Sequence, residues 1–272
     1  MDNLRISLVQ GDTLWHDPAG NREYYGDFMR SLRGITDVVV LPETFTSGFS
    51  NDAIGQAEDM DGPTVRWMRE QAAALAAVVS GSVQLRDGDG VYNRLLWVRP
   101  DGTLAHYDKR HLFTYAREHE RYAAGRERLV VELRGWRINP LVCYDLRFPV
   151  FCRNRYDVER PGQLDFDVQI FVANWPAARA YAWRTLLRAR AIENLCFVVG
   201  VNRVGEDGNG LAYDGDSVVL DFAGTPLAEA TDFEVVSTTT LQAATLRAYR
   251  EHFPAMLDAD RFEMDGLPAR AE

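Results

Sequence analysis

The chain has 272 residues, of which 46% are hydrophobic, and carries a formal net charge of -10. A chain of this length and composition suits one large domain with a substantial core. The negative charge argues against nucleic acid or an anionic membrane as the partner, since both require clustered Lys and Arg. A small-molecule substrate is expected instead.

Three cysteines cannot all pair, and so sparse a set favours a reducing compartment over a disulfide framework. The amino-terminal segment MDNLRISLVQ has no basic stretch followed by an apolar one, and no run approaches 18 apolar residues. These features predict a cytoplasmic protein without a membrane span.

The first half of the chain predicts two wound units followed by a meander. Helices are predicted from Asp17 and Pro18 to about residue 32 and over residues 64–77. The predicted strands are residues 4–9, 37–41, 78–85, 91–98 and 103–107. Because helices join the first three strands and turns join the last ones, the sheet is expected to be mixed.

The second half repeats this pattern. Its predicted strands are residues 129–133, 136–142, 168–172, 195–201, 218–222, 226–230 and 234–240. Helices are predicted over residues 178–194 and 241–252, a polar surface loop over 154–165, and a Gly-rich loop over 205–215. Two similar halves of this kind predict two sheets packed face to face, with helices on both outer sides.

The segment PLVCYDLRFP, residues 140–149, predicts a strand-to-helix elbow that carries Cys143. A thiol on such a bend can act as a nucleophile, and the N–H of Tyr144 can face a developing negative charge. Most free cysteines are instead small buried hydrophobic residues. Cys152 and Cys196 keep that structural interpretation.

Two charged positions accompany the elbow at predicted strand ends. Glu43 follows a buried strand, where α/β sheets place ligands, although a solvated loop carboxylate is the simpler interpretation. Lys109 lies in the charged run of residues 108–111, which is also typical of a solvated surface. A lysine beside a carboxylate can also form a charge-balanced pocket around a thiol.

Taken together, LPETFTSGF around Glu43, YDKRHLF around Lys109 and LVCYDLRFP around Cys143 resemble the nitrilase, or carbon-nitrogen hydrolase, superfamily. The likeness is strongest to its bacterial omega-amidase branch. It implies a four-layer αββα sandwich in which two mixed β-sheets pack face to face. The likeness extends to about Phe253, and residues 1–253 are expected to form a single domain. The tail over residues 254–272 is expected to pack at a subunit interface of a homodimer or higher homo-oligomer.

The resemblance further implies a Glu, Lys, Cys triad of Glu43, Lys109 and Cys143, with no metal and no cofactor. Glu118 matches a second glutamate that supports the lysine and the attacking water, but Glu120 is close enough to exchange with it. Lys109 and the Tyr144 N–H would hold the oxyanion. One departure is that residues 139–141 read Asn-Pro-Leu, where many members have a glycine, so the shape of the elbow is open.

The expected substrates are the ω-amides of 2-oxo dicarboxylic acids, 2-oxoglutaramate or 2-oxosuccinamate. Arg147 is a candidate anchor for the remote carboxylate, although an ion pair with Asp145 or another carboxylate is as plausible a role for it. Aromatic residues expected to form the walls around the carbon chain are Phe45, Phe113, Trp175 and Tyr144.

Other functions stay open from the sequence. A Cys-His hydrolase would use His111 or His119, and the same fold can carry an N-carbamoylase, another amidase or an acyl transferase. A catalytically silent scaffold is the alternative of a different class, because a fold does not fix function. Ammonia release from small amides distinguishes an amidase from a scaffold.

Overall fold

The computed structural model describes residues 1–157 and 163–266 of the chain. The strands in these ranges are β1 (Leu4–Gln10), β2 (Val38–Val40), β3 (Val78–Asp87), β4 (Gly90–Val98), β5 (Leu104–Asp108), β6 (Val131–Leu133), β7 (Trp136–Val142), β8 (Tyr156–Asp157), β9 (Gln163–Leu164), β10 (Val168–Ala173), β11 (Phe197–Asn202), β12 (Val204–Glu206), β13 (Ala212–Asp214), β14 (Val218–Leu220), β15 (Pro226–Glu229) and β16 (Val235–Leu241). The α-helices are α1 (Pro18–Met29), α2 (Pro63–Leu75), α3 (Pro149–Cys152), α4 (Ala180–Asn194) and α5 (Ala243–His252).

Two six-stranded sheets form the centre of the fold, with strand orders β16-β1-β2-β3-β4-β5 and β15-β14-β11-β10-β7-β6. The central strands β1, β2 and β3 of the first sheet are parallel, as are β7, β10 and β11 of the second. The flanking strands of both sheets are antiparallel. Both sheets are therefore mixed, as the sequence predicts.

Alternate side chains of β2 show how the layers stack. Val38 and Val40 lie in the core between the two sheets, together with residues of β7 and β10. Val39 points to the other face and packs in a separate cluster with residues of α1 and α2. Since strand side chains alternate between faces, this division places sheet against sheet at the centre and helices outside, which confirms the αββα sandwich.

The outer layer on the second sheet depends on a close approach of α4 to β11. A Cβ atom at Gly200 of β11 would lie 2.5 Å from Leu187 and 3.0 Å from Trp183. Glycine therefore lets the helix pack directly on the strand. Trp183, Leu187 and Ala191 of α4 are all buried there.

The prediction of a surface loop over residues 154–165 is wrong for residues 154–157 and 163–165, which the structure describes. Its flanks pair as the antiparallel strands β8 and β9. Asn154 is buried, and its side chain donates hydrogen bonds to the carbonyls of Phe166 and Asn194 at 2.8 and 2.9 Å. A polar residue is tolerated here because its hydrogen bonds are satisfied. Pro161 and Gly162, which suggested the loop, lie outside the described residues.

The predicted Gly-rich loop also contains regular structure, because β12 and β13 pair as an antiparallel hairpin within it. Asp207 closes the hairpin: its carboxylate accepts the N–H groups of Asn209 and Leu211 at 2.8 and 3.1 Å and the hydroxyl of Tyr213 at 2.9 Å. These hydrogen bonds from the Asp207 side chain hold the turn between β12 and β13 in one conformation.

After α5 the described part of the tail packs on its own chain. It contains a 3-10 helix over Ala255–Asp258, and the Gly266 carbonyl accepts a hydrogen bond from the Arg128 N–H at 2.9 Å. A role at a subunit interface stays a prediction. Over residues 1–157 and 163–266, no helix has both the length and the apolar character needed to cross a membrane.

Candidate active site

A cavity of about 570 Å³ opens at the carboxyl ends of the central strands. Glu43 reaches it from beyond β2, Cys143 from beyond β7 and Asn174 from beyond β10, while Lys109 follows β5. The carboxyl ends of parallel strands meet at one edge of a sheet. Residues more than 100 positions apart in sequence therefore line one cavity.

Glu43 is fully buried and held on both of its carboxylate oxygens. One oxygen accepts hydrogen bonds from the Asn93 side chain at 2.8 Å and from Lys109 Nζ at 2.9 Å, and the other accepts the Asn174 N–H at 2.8 Å. The Asn174 side chain also donates to the Glu43 carbonyl at 2.6 Å. This carboxylate is fixed in position, and the interpretation of Glu43 as a solvated loop residue is wrong.

Lys109 is 1% exposed and lies between two carboxylates. Its Nζ is 2.9 Å from Glu43 and 3.0 Å from Glu118. Burial alone would lower the pKa of Lys109, but the charges of Glu118 and Glu43 outweigh burial and raise it. The ammonium therefore stays protonated, and one of its three N–H donors remains for a ligand once each carboxylate has taken one.

Glu118, rather than Glu120, contacts the lysine. Glu118 is fully buried, and its carboxylate also accepts the Phe113 N–H at 2.6 Å. Burial raises the pKa of the Glu118 carboxyl above its usual value, although the Lys109 charge opposes the effect. Glu120 is exposed at the cavity mouth, where it pairs with Arg117 at 2.8 Å.

Cys143 occupies a bend with a φ angle of +43°, in the left-handed region that non-glycine residues rarely adopt. The buried carboxylate of Asp145 supports this elbow by accepting the Val142 N–H at 3.0 Å. The same carboxylate accepts the Tyr107 hydroxyl at 2.8 Å and the His111 N–H at 3.1 Å. Such conformations persist only when their surroundings hold them in place, and Asp145 links the elbow to β5 and the residues after it.

Pro140 is compatible with the elbow because of where β6 ends. β6 pairs with β7 only as far as Ile138. On its other side β7 pairs in parallel with β10, where Pro140 lies opposite Ile170. Proline lacks the N–H needed in an interior ladder, so it fits where one neighbouring strand has already stopped.

The surroundings of the Cys143 thiol favour its neutral form. Burial raises the pKa of this thiol well above its usual value, and the charge of Glu43 raises it further, whereas the charge of Lys109 lowers it. A neutral thiol is a weak nucleophile and needs a base to take its proton. Glu43 is the carboxylate next to it. Cys152 and Cys196 are fully buried and do not line the cavity.

No imidazole is hydrogen-bonded to Cys143 among the described residues. His111 is committed to Asp145, with its Nδ1 at 2.7 Å, and it stacks on Phe148 with the ring centroids 3.8 Å apart. His119 is exposed and does not line this cavity. The geometry gives a Cys-His pair no support.

Three of the predicted aromatic walls line the cavity: Phe113, Tyr144 and Trp175. Arg147 lines it too, with its guanidinium carbon 4.9 Å from the centre of the Trp175 ring. Arg147 forms no ion pair with Asp145, whose oxygens are occupied elsewhere. Tyr144 is in the first turn of the 3-10 helix Cys143–Arg147, so its N–H has no partner within that helix.

The prediction that Phe45 forms part of the wall is wrong. Phe45 is fully buried on the outer face of the first sheet, against Tyr25 of α1 and Trp67 of α2 at ring distances of 5.7 and 5.8 Å. The chain turns sharply at Thr44, which has a φ angle of +42°, so the Phe45 side chain points away from the cavity. Phe49 lines the cavity in its place, 5.1 Å from Lys109 Nζ.

The family model for carbon-nitrogen hydrolases matches residues 5–251. The chain belongs to this family. It is 48% identical over 267 residues to omega-amidase YafV of Escherichia coli, covering 97% of this chain and all of that relative. It is 32% identical over 256 residues to the 2-oxoglutaramate amidase of Bacillus subtilis, covering 93% of this chain and 96% of that relative.

A solved structure supports the same assignment. The carbon-nitrogen hydrolase superfamily protein XC1258 of Xanthomonas campestris, described with an arsenic adduct in its active site, is 70% identical to this chain. The two superpose with a TM-score of 0.96, over 97% of this chain and all of that one. The resemblance drawn from three short motifs therefore extends over the whole carbon-nitrogen hydrolase domain.

Two residues that hold Glu43 in place were not found from the sequence. Asn93 and Asn174 together supply a side-chain and a backbone donor to Glu43. Asn174 follows a buried strand, as Glu43 does, and that position was a usable signal. Asn93 lies inside β4, where a buried polar residue among apolar ones was the only indication.

Proposed function

We propose that this carbon-nitrogen hydrolase is an omega-amidase, which hydrolyses the terminal amide of 2-oxoglutaramate or 2-oxosuccinamate and releases ammonia. The observation that carries the proposal is the buried pair of carboxylates around Lys109, in a cavity that the Cys143 thiol also lines. The named activities of the two enzyme relatives support the substrate class.

Acylation begins when Glu43 takes the proton of the Cys143 thiol. The sulfur attacks the amide carbonyl carbon, and a C–S bond forms as the carbonyl becomes an oxyanion. The carbonyl then re-forms, the C–N bond breaks, and the leaving nitrogen takes the proton from Glu43. Ammonia leaves, and the acyl group remains on Cys143 as a thioester.

Hydrolysis of the thioester uses the same base. Glu43 takes a proton from water, and the water oxygen attacks the thioester carbon. The C–S bond breaks, the acid leaves, and the sulfur recovers its proton from Glu43. Glu118 positions Lys109 and the attacking water, a role supported by its contacts with Lys109 Nζ at 3.0 and 3.1 Å.

Lys109 and the Tyr144 N–H stabilise the oxyanion in both steps. Lys109 keeps one donor after its two carboxylate contacts, and its charge is fixed in a buried site where electrostatic interactions are stronger than in water. The role needs an ammonium held between two acids. An uncharged side chain at this position would leave both carboxylates without their cation.

Arg147 binds the carboxylate at the remote end of the substrate. It reaches the cavity, contacts Trp175 and has no carboxylate partner among the described residues. Phe113, Trp175 and Tyr144 enclose the short carbon chain between that carboxylate and the amide. A free nitrile or a bulky peptide amide offers no comparable fit and is expected to react much more slowly.

The test is ammonia release, measured as kcat/KM, from 2-oxoglutaramate, 2-oxosuccinamate, glutamine, asparagine, a simple nitrile and an N-carbamoyl amino acid. Cys143→Ala serves as the inactive control. Preference for a 2-oxo ω-amide supports the proposal. Preference for the nitrile or the carbamoyl compound would assign the chain to another branch of the superfamily. If none of these compounds releases ammonia, the protein is a catalytically silent scaffold. Product that depends on an added amine acceptor indicates acyl transfer.

We also propose that the protein acts in the cytoplasm as a homodimer or higher homo-oligomer. Its three cysteines are all free, which suits a reducing compartment.

Light scattering after size-exclusion chromatography tests the oligomeric state. Truncation after residue 253 is expected to weaken the oligomer if residues 254–272 pack at a subunit interface. A monomer at micromolar concentration would contradict this.

A further inference from the structure

Several charged side chains around the cavity have a partner of opposite charge. Lys109 lies between two carboxylates, and Arg117 at the mouth pairs with Glu120 at 2.8 Å. Arg147 and Arg179 differ. Within residues 1–157 and 163–266 neither guanidinium has a carboxylate at salt-bridge distance, and neither donates a hydrogen bond.

Arg179 lies at the start of α4, on the same side of the cavity as Trp175. The Trp175 indole N–H donates to the Arg179 carbonyl at 2.9 Å, and the Arg179 guanidinium carbon is 5.4 Å from the centre of the Phe113 ring. Arg147 lies against the face of the same Trp175. The two guanidinium groups thus rest on neighbouring aromatic walls, whose faces offer no oxygen acceptor.

The remaining acidic residues of the cavity do not neutralise this pair directly. The oxygens of Asp207 are occupied by two N–H groups and the Tyr213 hydroxyl within its own hairpin. Asp52 is exposed at the rim, as is Arg121. Guanidinium donors left available in a cavity of a protein with net charge -10 indicate an anionic ligand.

We propose that Arg179 is a specificity-determining residue, which contacts the 2-oxo acid end of the substrate alongside Arg147 and selects 2-oxo acids over 2-amino acids. The inference rests on the proposed function. At that end 2-oxoglutaramate presents a carboxylate and a ketone oxygen, which are all acceptors. Glutamine presents a carboxylate and an ammonium at that end. A second guanidinium repels the ammonium, and the ammonium has no lone pair to accept a hydrogen bond from the guanidinium N–H groups.

The test compares the wild-type enzyme with Arg179→Gln on 2-oxoglutaramate, glutamine and the neutral amide butyramide. Loss of one charge-assisted contact should lower kcat/KM for 2-oxoglutaramate by about tenfold or more, mainly through KM. The values for glutamine and butyramide should change by less than about threefold, because neither uses this contact favourably. Arg179→Lys should recover part of the selectivity, since it restores the charge but not the planar fork.

Arg184→Gln is the matched control, because Arg184 lies in the helix that Arg179 precedes but pairs with Asp216 at 3.3 Å outside the cavity. It should leave all three substrates unchanged. An equal loss on all three substrates with Arg179→Gln would assign Arg179 a structural role and overturn the inference, as would no loss on any. Wild-type enzyme that fails to hydrolyse 2-oxoglutaramate would instead overturn the proposed function itself.

If Arg179→Gln does not fold, inhibition by the product 2-oxoglutarate is measured with Arg179→Lys, using butyramide as the substrate. Weaker inhibition with unchanged butyramide turnover supports the contact. Unchanged inhibition contradicts it.

Discussion

Replacing Glu43 by Gln should stop turnover and yet make Cys143 more reactive towards iodoacetamide. Burial is the main cause of the raised pKa of the thiol, and the Glu43 charge is the next. Removing that charge lowers the pKa of Cys143, so more thiolate is present at a given pH. A change that merely opened the site to water would accelerate alkylation of a Lys109 variant as well, so the two variants must be compared.

The size of the effect follows from Coulomb's law. Two unit charges about 5 Å apart interact by roughly 0.8 kcal/mol in water and roughly 3 kcal/mol at an effective dielectric constant near 20. A thiolate of lower pKa is also less nucleophilic, which removes about half of the gain on a logarithmic scale. Alkylation of Glu43→Gln should therefore be between about twofold and fifteenfold faster than that of wild type.

The assay measures the rate of carboxamidomethylation of the Cys143 peptide by mass spectrometry between neutral and alkaline pH. The profile of Glu43→Gln should be displaced to lower pH. Lys109→Gln is the opposing control, because Lys109 lowers the pKa of the thiol and its loss should slow alkylation. Equal rates in wild type and Glu43→Gln would mean that no ionised carboxylate lies beside the sulfur, and the assignment of Glu43 as the base would be refuted.

Three further predictions concern the same site. Lys109→Arg should lower kcat by at least about 10²-fold, because a planar guanidinium cannot replace an ammonium between Glu43 and Glu118; near-normal kcat would exclude Lys109 from the oxyanion hole. Asp145→Asn should lower both thermal stability and kcat, since an amide cannot accept every hydrogen bond that the buried carboxylate accepts; wild-type Tm and activity would show that the elbow does not depend on Asp145. Iodoacetamide should label Cys143 before the two fully buried cysteines, and faster labelling of either of those would overturn the choice of nucleophile.

The sequence predicts the sheets well because its strands carry their own signals. Continuous apolar segments such as residues 38–41 mark the parallel centre, and Gly-containing turns mark the antiparallel edges. The two incorrect loops fail for a different reason. Polar and glycine-rich segments are regular here because Asn154 and Asp207 supply hydrogen bonds from side chains, and such partners depend on the tertiary structure.

The site is predictable as far as its motifs reach. Glu43, Lys109 and Cys143 stand out because each follows a predicted strand, and their motifs match a known family. The direction of a side chain is harder to predict, and Phe45 shows this. Thr44 has a φ angle of +42°, so the chain turns after Glu43 and sends Phe45 to the opposite face of the sheet. The alternation of apolar and polar residues in the sequence gives no indication of that turn.

The choice between Glu118 and Glu120 also needed the structure. Both lie in one short 3-10 helix, Glu118–Glu120, so spacing alone cannot separate them. Burial separates them, because the Glu118 carboxylate faces Lys109 and the Glu120 carboxylate faces solvent.

We expect Cys143 to carry the acyl group during hydrolysis of a 2-oxo ω-amide. The most direct measurement is the mass of the enzyme after acid quenching during turnover of 2-oxoglutaramate, followed by peptide mapping. We expect an adduct equal to the 2-oxoglutaryl group on the Cys143 peptide, and neither adduct nor ammonia with Cys143→Ala. Ammonia released by Cys143→Ala at the wild-type rate would contradict it.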